Sequence, residues 1–472
     1  MKGITMLSHV KQSQKKAGVE IGKIRNYTEV VDYLNSLTYA EYNDNVITRM
    51  QSLDKFFDNV SKKVDTILVS GTNGKSLTLH FAAKLLKEEG FKVGLAYSSH
   101  ILTYNEQIVS DAQPIQNKDF ADVVNEVINT AEMNNIKATA HEILTIASLL
   151  QFVKDKVDVA ILEVRYGGKF DATNICHPKI AALTRVAEDN LGLLDPNLDK
   201  VAFEMLETAK EGTWFISAEQ SKIRLQKMKN WTIAHDVKWA MPIRKLAALP
   251  YIYEQLFGRI ASLGERIAQI YVEDIKGKFS PFLRGNLLIT QRGQRGRPTI
   301  EAKRQAELNP AKTLKGFWAE QFDLMRGRFE LLNKEKPSIL LDNASNIDAL
   351  SNLYLGIRLL HYQKPLKGLA LIIGFSKANN PLEAIKLLRY LLKKVSGSVF
   401  FVTLPGHVAS HDPQDLANMA KELNVKVKSC ASLAEAIEQA KTVIDERDGL
   451  IAITGSHDLV REFWKIRGIK KF

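Results

Sequence analysis

The stretch ILVSGTNGKSLTLHFAAKLLKEEG, residues 67–90, decides the fold class. It begins as a short apolar run rich in β-branched residues, passes through two glycines and a lysine, and ends with apolar residues at helical spacing. This order predicts a strand, a turn and a helix. Backbone N–H groups and the positive end of the helix dipole would point into the turn, so the segment predicts a phosphate-binding loop.

Two side chains of this loop can act on a nucleotide. Lys75 adds a full positive charge for the phosphates, and the hydroxyl of Ser76 can bind Mg²⁺. The strict pattern G-x-x-x-x-G-K-[ST] requires glycine where this chain has Val69, so the match is incomplete. Gly71 and Gly74 still supply a flexible backbone. A glycine-rich turn without a ligand is the alternative interpretation.

Apolar strand-like runs alternate with helical patterns around this loop and again near the end of the chain. The runs are TILVS, KVGLAY, VDVAILEV and KIAALTRV in the first set and SILLDNA, LALIIGF, VFFVTL and GLIAITGS in the second. Strands of this kind joined by helices imply parallel sheets covered on both faces. We therefore predict an α/β protein with a P-loop-type parallel-sheet domain, residues 1–326, followed by a smaller Rossmann-like α/β domain, residues 327–472.

Two regions are predicted outside this alternation. Residues 27–57 carry apolar side chains at helical spacing and are predicted as helix. Between about residues 215 and 325 the alternation is expected to fade, with a divergent basic segment at about 275–325. Within it, the Gly/Arg-rich residues 284–304 would suit RNA or phosphates. That stretch is short and has no interleaved aromatic residues, so nucleic-acid contact is the less favoured interpretation.

Composition excludes several classes of protein. The 472 residues are 45% hydrophobic and 25% charged, which is typical of a soluble globular chain. No apolar run approaches the roughly 18 residues that span a membrane, and the N-terminus does not resemble a secretory signal, so we expect a cytoplasmic protein. The only cysteines are Cys176 and Cys430, which supports neither a disulfide framework nor a cysteine metal site. The net charge of +12 favours anionic partners in general.

Glu163 is the candidate carboxylate for a magnesium ion bound to phosphates. It lies at the end of an apolar strand-like run, just before two glycines. In open parallel sheets, ligands bind outside the carboxyl ends of the strands. Taken alone, a surface charge is the simpler interpretation of Glu163.

Three segments in order resemble the folylpolyglutamate synthase/dihydrofolate synthase family of the Mur ligase superfamily. They are VSGTNGK (69–75), YSSHILTYNEQIVSDAQPI (97–115) and VDVAILEVRYGGKFDATN (157–174). The resemblance extends back to YTEVVDYLNSL and forward to the terminal ITGSHDL, and so covers nearly the whole chain outside the basic segment. It implies that the first domain is a Mur ligase central domain and that the protein is monomeric.

The resemblance also implies an activity: an ATP- and Mg²⁺-dependent amide ligase that joins L-glutamate to a pteroate or folate carboxylate through an acyl phosphate. Lys75 and Glu163 would be catalytic, and Ser99 and His100 would contact the pterin substrate. The metal ligands would be Ser76, Glu163 and Asn190. The ATP-binding set would be Gly71, Thr72, Asn73, Gly74, Lys75, Ser76, Arg328 and Asp342.

The chain departs from the family pattern at four positions. Asn190 stands where a histidine would bind a second metal, although an amide oxygen can still bind Mg²⁺. Met205 replaces a lysine that helps to organise that metal, and a thioether cannot carry its charge. Ser345 replaces a histidine at the nucleotide contact, and Gln107 replaces an arginine. Positions for the first metal and the phosphate loop persist, whereas part of the second-metal and nucleotide-holding set does not.

Three functions therefore stay open from the sequence. The first is the glutamate ligase, and the second is a catalytically impaired ATP-binding homologue. The third is a Mur ligase that acts on a different carboxylate substrate. Sequence does not distinguish dihydrofolate synthesis from polyglutamate extension.

Overall fold

The apolar runs around the phosphate loop form the centre of an eight-stranded sheet. The computed structural model describes residues 22–37, 39–188, 194–284, 313–406 and 409–472. The strands of the first sheet are β1 Asp65–Ser70, β2 Val93–Ala96, β3 Ile108–Ser110, β4 Gln113–Pro114, β5 Val159–Glu163, β6 Ile180–Leu183, β7 Trp214–Ser217 and β8 Lys238–Ala240. Their order is β4-β3-β2-β5-β1-β6-β7-β8, and only the pairs that involve β3 are antiparallel.

Helices cover both faces of this sheet. They are α1 Tyr27–Ser36, α2 Asp44–Phe56, α3 Lys75–Glu88, α4 Asn117–Met133, α5 Ala140–Asp155, α6 Leu198–Leu206, α7 Lys222–Ala234, α8 Tyr251–Gln269, α9 Pro281–Arg284 and α10 Leu314–Gln321. Alternate strand residues point to opposite faces. Ile67 and Val69 of β1 therefore join the core that includes α3 and α8, whereas Leu68 joins the core of α1, α2, α4 and α5.

The second predicted set of strands forms a six-stranded sheet. Its strands are β9 Glu330–Leu332, β10 Ser338–Leu341, β11 Leu369–Ile373, β12 Gly397–Phe401, β13 Val427–Ser429 and β14 Leu450–Thr454, in the order β13-β12-β11-β14-β10-β9. All pairs are parallel except β9 with β10. Its helices are α11 Ile347–Gln363, α12 Pro381–Leu392, α13 Pro413–Glu422, α14 Leu433–Lys441 and α15 His457–Ile466.

The α/β class and the two sheets agree with the sequence, and the predicted helical residues 27–57 form the two helices α1 and α2. One local prediction is wrong. The alternation does not fade at residue 215, since β7, α7 and β8 continue the first sheet to Ala240. These last strands are only four and three residues long, so their apolar runs were too short to recognise.

The two sheets are joined by a continuous apolar core. The α8 helix contacts α11, and Phe329 lies between them against Gly356. A Cβ at Gly356 would lie 2.2 Å from the Phe329 ring and 3.0 Å from Leu256, so the absence of a side chain permits this close approach. The domain division at residues 326 and 327 stays a prediction.

The carboxyl ends of three neighbouring strands meet at one edge of the first sheet. Val69 of β1 is paired with Glu163 of β5 and with Ala182 of β6. The phosphate loop follows β1 directly, so this edge gathers the loop, Glu163 and the segment after β6. Within the described ranges, no helix is both long enough and apolar enough to cross a membrane.

Candidate nucleotide and substrate site

The loop after β1 has the backbone conformation that two glycines permit. Gly71 has φ +127° and Gly74 has φ +86°, both in the region that side chains disfavour. A Cβ on Gly71 would lie 1.9 Å from Thr184 Oγ1, so this position also lacks space for a side chain. Gly74 is the residue before α3, which begins at Lys75. The loop therefore leads its backbone directly into the first turn of a helix.

The loop leaves donors available for an anion. In the described part of the chain, the N–H groups of Asn73 and Gly74 donate to no acceptor, and the first N–H groups of a helix have no partner within it. The Lys75 ammonium donates to the carbonyl of Gly71 at 2.8 Å and so lies folded back over the loop. Thr72 is different, because its N–H donates to Arg185 O at 2.9 Å. These features suit phosphate groups at the N-terminus of α3.

Ser76 and Glu163 contact each other beside the loop. Both are buried, and the Ser76 hydroxyl donates to Glu163 Oε2 at 3.0 Å. The backbone N–H of Ser98 approaches the same carboxylate oxygen at 3.4 Å. The strand-end register thus brings together the hydroxyl and the carboxylate that the sequence assigned to magnesium.

This pair fits a magnesium ion that is also held by phosphates. Among the described residues, no group of three His, Cys, Asp or Glu side chains gathers as a complete metal cage. Mg²⁺ in nucleotide sites commonly uses one or two protein ligands and takes the rest from phosphates and water. One carboxylate and one hydroxyl are sufficient for that role. The proposed ligand Asn190 lies outside the described residues.

Arg328 and Asp342 reach this edge from the second sheet. Arg328 Nη2 lies 3.4 Å from Ser76 Oγ. Burial lowers the pKa of the Arg328 guanidinium, against the opposing effect of Glu163 and Asp342. Asp342 accepts the backbone N–H groups of Phe329 at 2.7 Å and Ala344 at 2.8 Å, and burial raises its pKa to about 6. Asp342 therefore fixes the loop that carries Arg328.

Asn73 is held by the second sheet rather than left free. Its side-chain amide donates to Asn346 Oδ1 at 3.0 Å and to Asp348 Oδ2 at 2.8 Å, and its Oδ1 accepts from Asn346 at 3.1 Å. Side chains at the start of α11 thus bond directly to the phosphate loop.

A cavity of about 430 Å³ has Ser98, whose backbone N–H approaches the Glu163 carboxylate, in its wall. Its lining includes Ser98, Ser99 and His100, so both predicted substrate residues face it. Apolar side chains such as Leu34 and Leu144 form part of the wall. The aromatic and ionisable lining residues include Tyr42, Tyr104, His141, Arg165, Phe170, Asp171, His457 and Arg461. Ser98 connects the two parts of the site, because its N–H contacts Glu163 and the residue also lines the cavity.

His100 is fixed as a neutral ring at the cavity wall. Gln107 Nε2 lies 2.8 Å from His100 Nδ1, and the Tyr104 ring is 4.3 Å away between centroids. Burial, together with the charges of Arg461 and Arg165, lowers the pKa of His100 to about 3. If the Gln107 amide donates to Nδ1, the His100 proton is on Nε2.

His141 lies in the cavity wall, with Nε2 3.3 Å from Asp171 Oδ2. Asp171 also accepts the backbone N–H groups of Arg165 and Tyr166. The two residues come from distant segments, so helical spacing could not reveal the pair.

Met205 is buried among apolar side chains. It is 2% exposed and belongs to an apolar cluster with residues such as Leu183 and Phe215 of the sheet. Its backbone packs on the loop after β5, since a Cβ on Gly168 would lie 3.0 Å from Met205 Cα. Ser345 is exposed, and its carbonyl accepts from Asn379 at 2.9 Å. Neither residue supplies the polar group that the family pattern has at its position.

The chain is similar in sequence to several known proteins. No family model matches the chain. The chain is 31% identical over 194 residues to the dihydrofolate synthase/folylpolyglutamate synthase of Bacillus subtilis, which covers 40% of this chain and 45% of that protein. Against the folylpolyglutamate synthase of Lacticaseibacillus casei it is 26% identical over 448 residues, or 91% of this chain and 96% of that protein. The match thus spans about half of the first relative and nearly all of the second.

A solved structure shares the fold. The bifunctional folylpolyglutamate synthase/dihydrofolate synthase of Yersinia pestis, complexed with AMPPNP and a manganese ion, superposes with a TM-score of 0.69 at 19% identity. The superposition covers 95% of this chain and 100% of that one. These likenesses show that the chain has the fold of a folylpolyglutamate synthase/dihydrofolate synthase and is similar in sequence to proteins of that name.

Proposed function

We propose that the chain is an ATP- and magnesium-dependent ligase that joins L-glutamate to the carboxylate of a pteroate or folate. One observation carries the proposal: Ser98 belongs both to the surroundings of Glu163 and to the wall of the cavity. A nucleotide phosphate at the loop and a carboxylate in the cavity would therefore be neighbours. Phosphoryl transfer depends mainly on such positioning and on neutralised charge.

The reaction would proceed in two balanced steps. The substrate carboxylate attacks the γ-phosphorus of ATP, which forms an acyl phosphate and releases ADP. The amine of glutamate then attacks the acyl carbon, which forms the amide, releases inorganic phosphate and loses one proton. Lys75 and the N–H groups at the start of α3 would bind the phosphates.

Ser76 and Glu163 would hold magnesium, which neutralises charge on the phosphoryl group as it is transferred. Arg328 would add a cation from the second sheet, 3.4 Å from Ser76 Oγ. Both sheets would thus contribute to one nucleotide site. Closure of the two units would also exclude water from the acyl phosphate.

The cavity suits a flat aromatic substrate with anionic groups. Its volume lies within the range of about 300–1,000 Å³ that is usual for small-molecule pockets. Tyr42, Tyr104 and Phe170 offer aromatic surfaces, and Arg165 and Arg461 offer positive charge. Ser99 and His100 would contact the pterin substrate.

A catalytically impaired homologue is the second candidate, and the burial of Met205 favours it. A ligase that relies on the Ser76–Glu163 metal alone would have less charge neutralisation than one with two metals. We also propose that the protein is cytoplasmic and monomeric, on the strength of composition and family resemblance. Nucleic-acid contact through residues 284–304 stays a prediction, because residues 285–304 lie outside the described ranges.

Phosphate release from ATP tests the proposal. The full chain is incubated with Mg²⁺, glutamate, and either dihydropteroate or tetrahydrofolate, and Lys75→Ala is the matched negative variant. Release that requires both the folate and glutamate supports the ligase. No release with either folate, alongside ATP binding that disappears in Lys75→Ala, would favour the impaired homologue. Turnover only with a UDP-muramyl substrate would select the other Mur ligase activity.

A further inference from the structure

Positive charge collects on the side of the phosphate loop opposite Glu163. Arg185 follows β6, and its carbonyl accepts the N–H of Thr72 at 2.9 Å, which fixes its backbone against the loop. Its side chain is 41% exposed and extends towards the second sheet. Sequence reasoning did not identify this residue as part of the site.

One carboxylate connects Arg185 to the loop. Arg185 Nη1 lies 2.8 Å from Asp348 Oδ1, and Asn73 Nδ2 donates to Asp348 Oδ2 at 2.8 Å. Asp348 is in the first turn of α11, so the anion comes from the second sheet. Its two oxygens are thus divided between a guanidinium and the phosphate loop.

A second arginine, Arg259, interacts electrostatically with Arg185. Arg259 precedes Ile260 on α8, and the Ile260 side chain reaches Gly74, where a Cβ would lie 2.4 Å from Ile260 Cδ1. Arg259 is half-buried, and within the described residues its guanidinium makes no ion pair or hydrogen bond. Burial and the charge of Arg185 lower its pKa.

The acidic groups nearby do not balance this charge fully. Glu219 is close enough to favour the charged form of Arg259, yet its carboxylate already accepts the N–H groups of Val186 and Ser221 and pairs with Arg224. Asp348 is shared as described above. The pair Arg185 and Arg259 therefore has spare capacity for an anion.

We propose that Arg185 and Arg259 form an additional phosphate-binding subsite. Without a nucleotide, Asp348 pairs with Arg185, and a nucleotide phosphate takes the place of Asp348 when it binds. This inference rests on the nucleotide site of the proposed function. Guanidinium groups bind phosphate oxygens with the same fork geometry that they use for carboxylates, so the exchange requires no new type of contact. Because Asp348 belongs to the second sheet, the exchange would also change a contact between the two units.

Calorimetric titration of the full chain with Mg²⁺-ATP and with adenosine tests the subsite. We expect Arg185→Ala to weaken ATP binding about 10-fold and Arg259→Ala about 5-fold, with adenosine binding changed less than about 2-fold. Asp348→Asn removes the competing charge and should strengthen ATP binding about 3-fold. Arg185→Lys should restore part of the loss, since it keeps the charge but not the fork.

Arg467→Ala is the matched control. Arg467 pairs with Glu335 at similar exposure and lies outside the site, so its ATP affinity should equal that of the unaltered chain. Thermal unfolding of every variant checks that it is folded at the titration temperature. Unchanged ATP affinity in Arg185→Ala, or weaker or unchanged ATP binding in Asp348→Asn, would overturn the proposal.

The titration separates this inference from the ligase assignment. If no folate is ligated but the ATP affinities shift as expected, the subsite stands and the ligase proposal fails. If Lys75→Ala abolishes ATP binding while both arginine variants bind normally, the subsite fails and the ligase proposal is untouched.

Discussion

Two neighbouring regions of the first sheet differ in their buried side chains. At the carboxyl ends of β1 and β5, buried polar side chains contact one another. On α6, which packs on β6, the buried side chains are apolar. Ser76, Glu163 and Arg328 form a chain of contacts of 3.0 and 3.4 Å. Met205, at the position of the family's lysine, is enclosed by the core. The residues proposed to bind phosphate and magnesium thus already contact one another, whereas α6 serves packing.

The largest effect on activity is expected from the phosphate loop. Lys75→Ala should reduce nucleotide-dependent turnover about 1,000-fold, the upper end of what removal of a single well-placed donor costs. The physical reason is the loss of the only full charge supplied by the loop itself. Steady-state phosphate release measures it. Lys87 lies on the same helix as Lys75, is half-exposed and pairs with Asp111. Lys87→Ala should therefore retain full activity.

Substitution of Met205 on α6 should change the stability of the protein rather than its activity. Met205→Lys would restore the family's residue type but bury an ammonium among apolar side chains, and should lower the free energy of unfolding by about 3 kcal/mol. Urea unfolding measures this cost.

Met205→Leu is the control for that experiment, because it conserves volume and should cost less than about 1.5 kcal/mol. Increased turnover in a stable Met205→Lys protein would contradict the view of α6 as a packing element.

Glu163→Gln tests whether the Glu163 carboxylate binds magnesium. The amide keeps a hydrogen-bond acceptor for Ser76 but removes the charge that would hold the metal. Turnover should fall about 100-fold and require more Mg²⁺ for half-saturation, which a magnesium titration of phosphate release detects. An unchanged magnesium requirement would exclude Glu163 as a metal ligand.

A smaller effect is expected from pH at the cavity wall. His100 has a folded pKa of about 3, below that of an unfolded histidine, so the unfolded chain binds more protons as pH falls. Its contribution to stability is nearly complete above about pH 6.5 and should decline by about 2 kcal/mol between pH 7 and 5. Urea unfolding at both pH values should show a weaker decline in His100→Gln. An identical decline in that variant would show that His100 is not held neutral.

Sequence reasoning reached the parts of the site that are local. The phosphate loop is a continuous stretch, and Glu163 is marked by its place at a strand end, so both could be identified. The Asp348 contact and the His141–Asp171 pair could not, because they depend on how separate segments pack. The family resemblance implied that Met205 replaces a lysine, but only the packing showed that its side chain lies in the core. The later strands β7 and β8 were missed because short strands carry little periodicity.

The proposed reaction transfers the γ-phosphoryl group of ATP to a folate-type carboxylate. An oxygen-18 label in the carboxylate of dihydropteroate tests it most directly, with phosphate analysed by mass spectrometry after incubation with ATP, Mg²⁺ and glutamate. We expect one labelled oxygen in inorganic phosphate for each amide formed. Amide formation with unlabelled phosphate, or phosphate release without any amide, would contradict it.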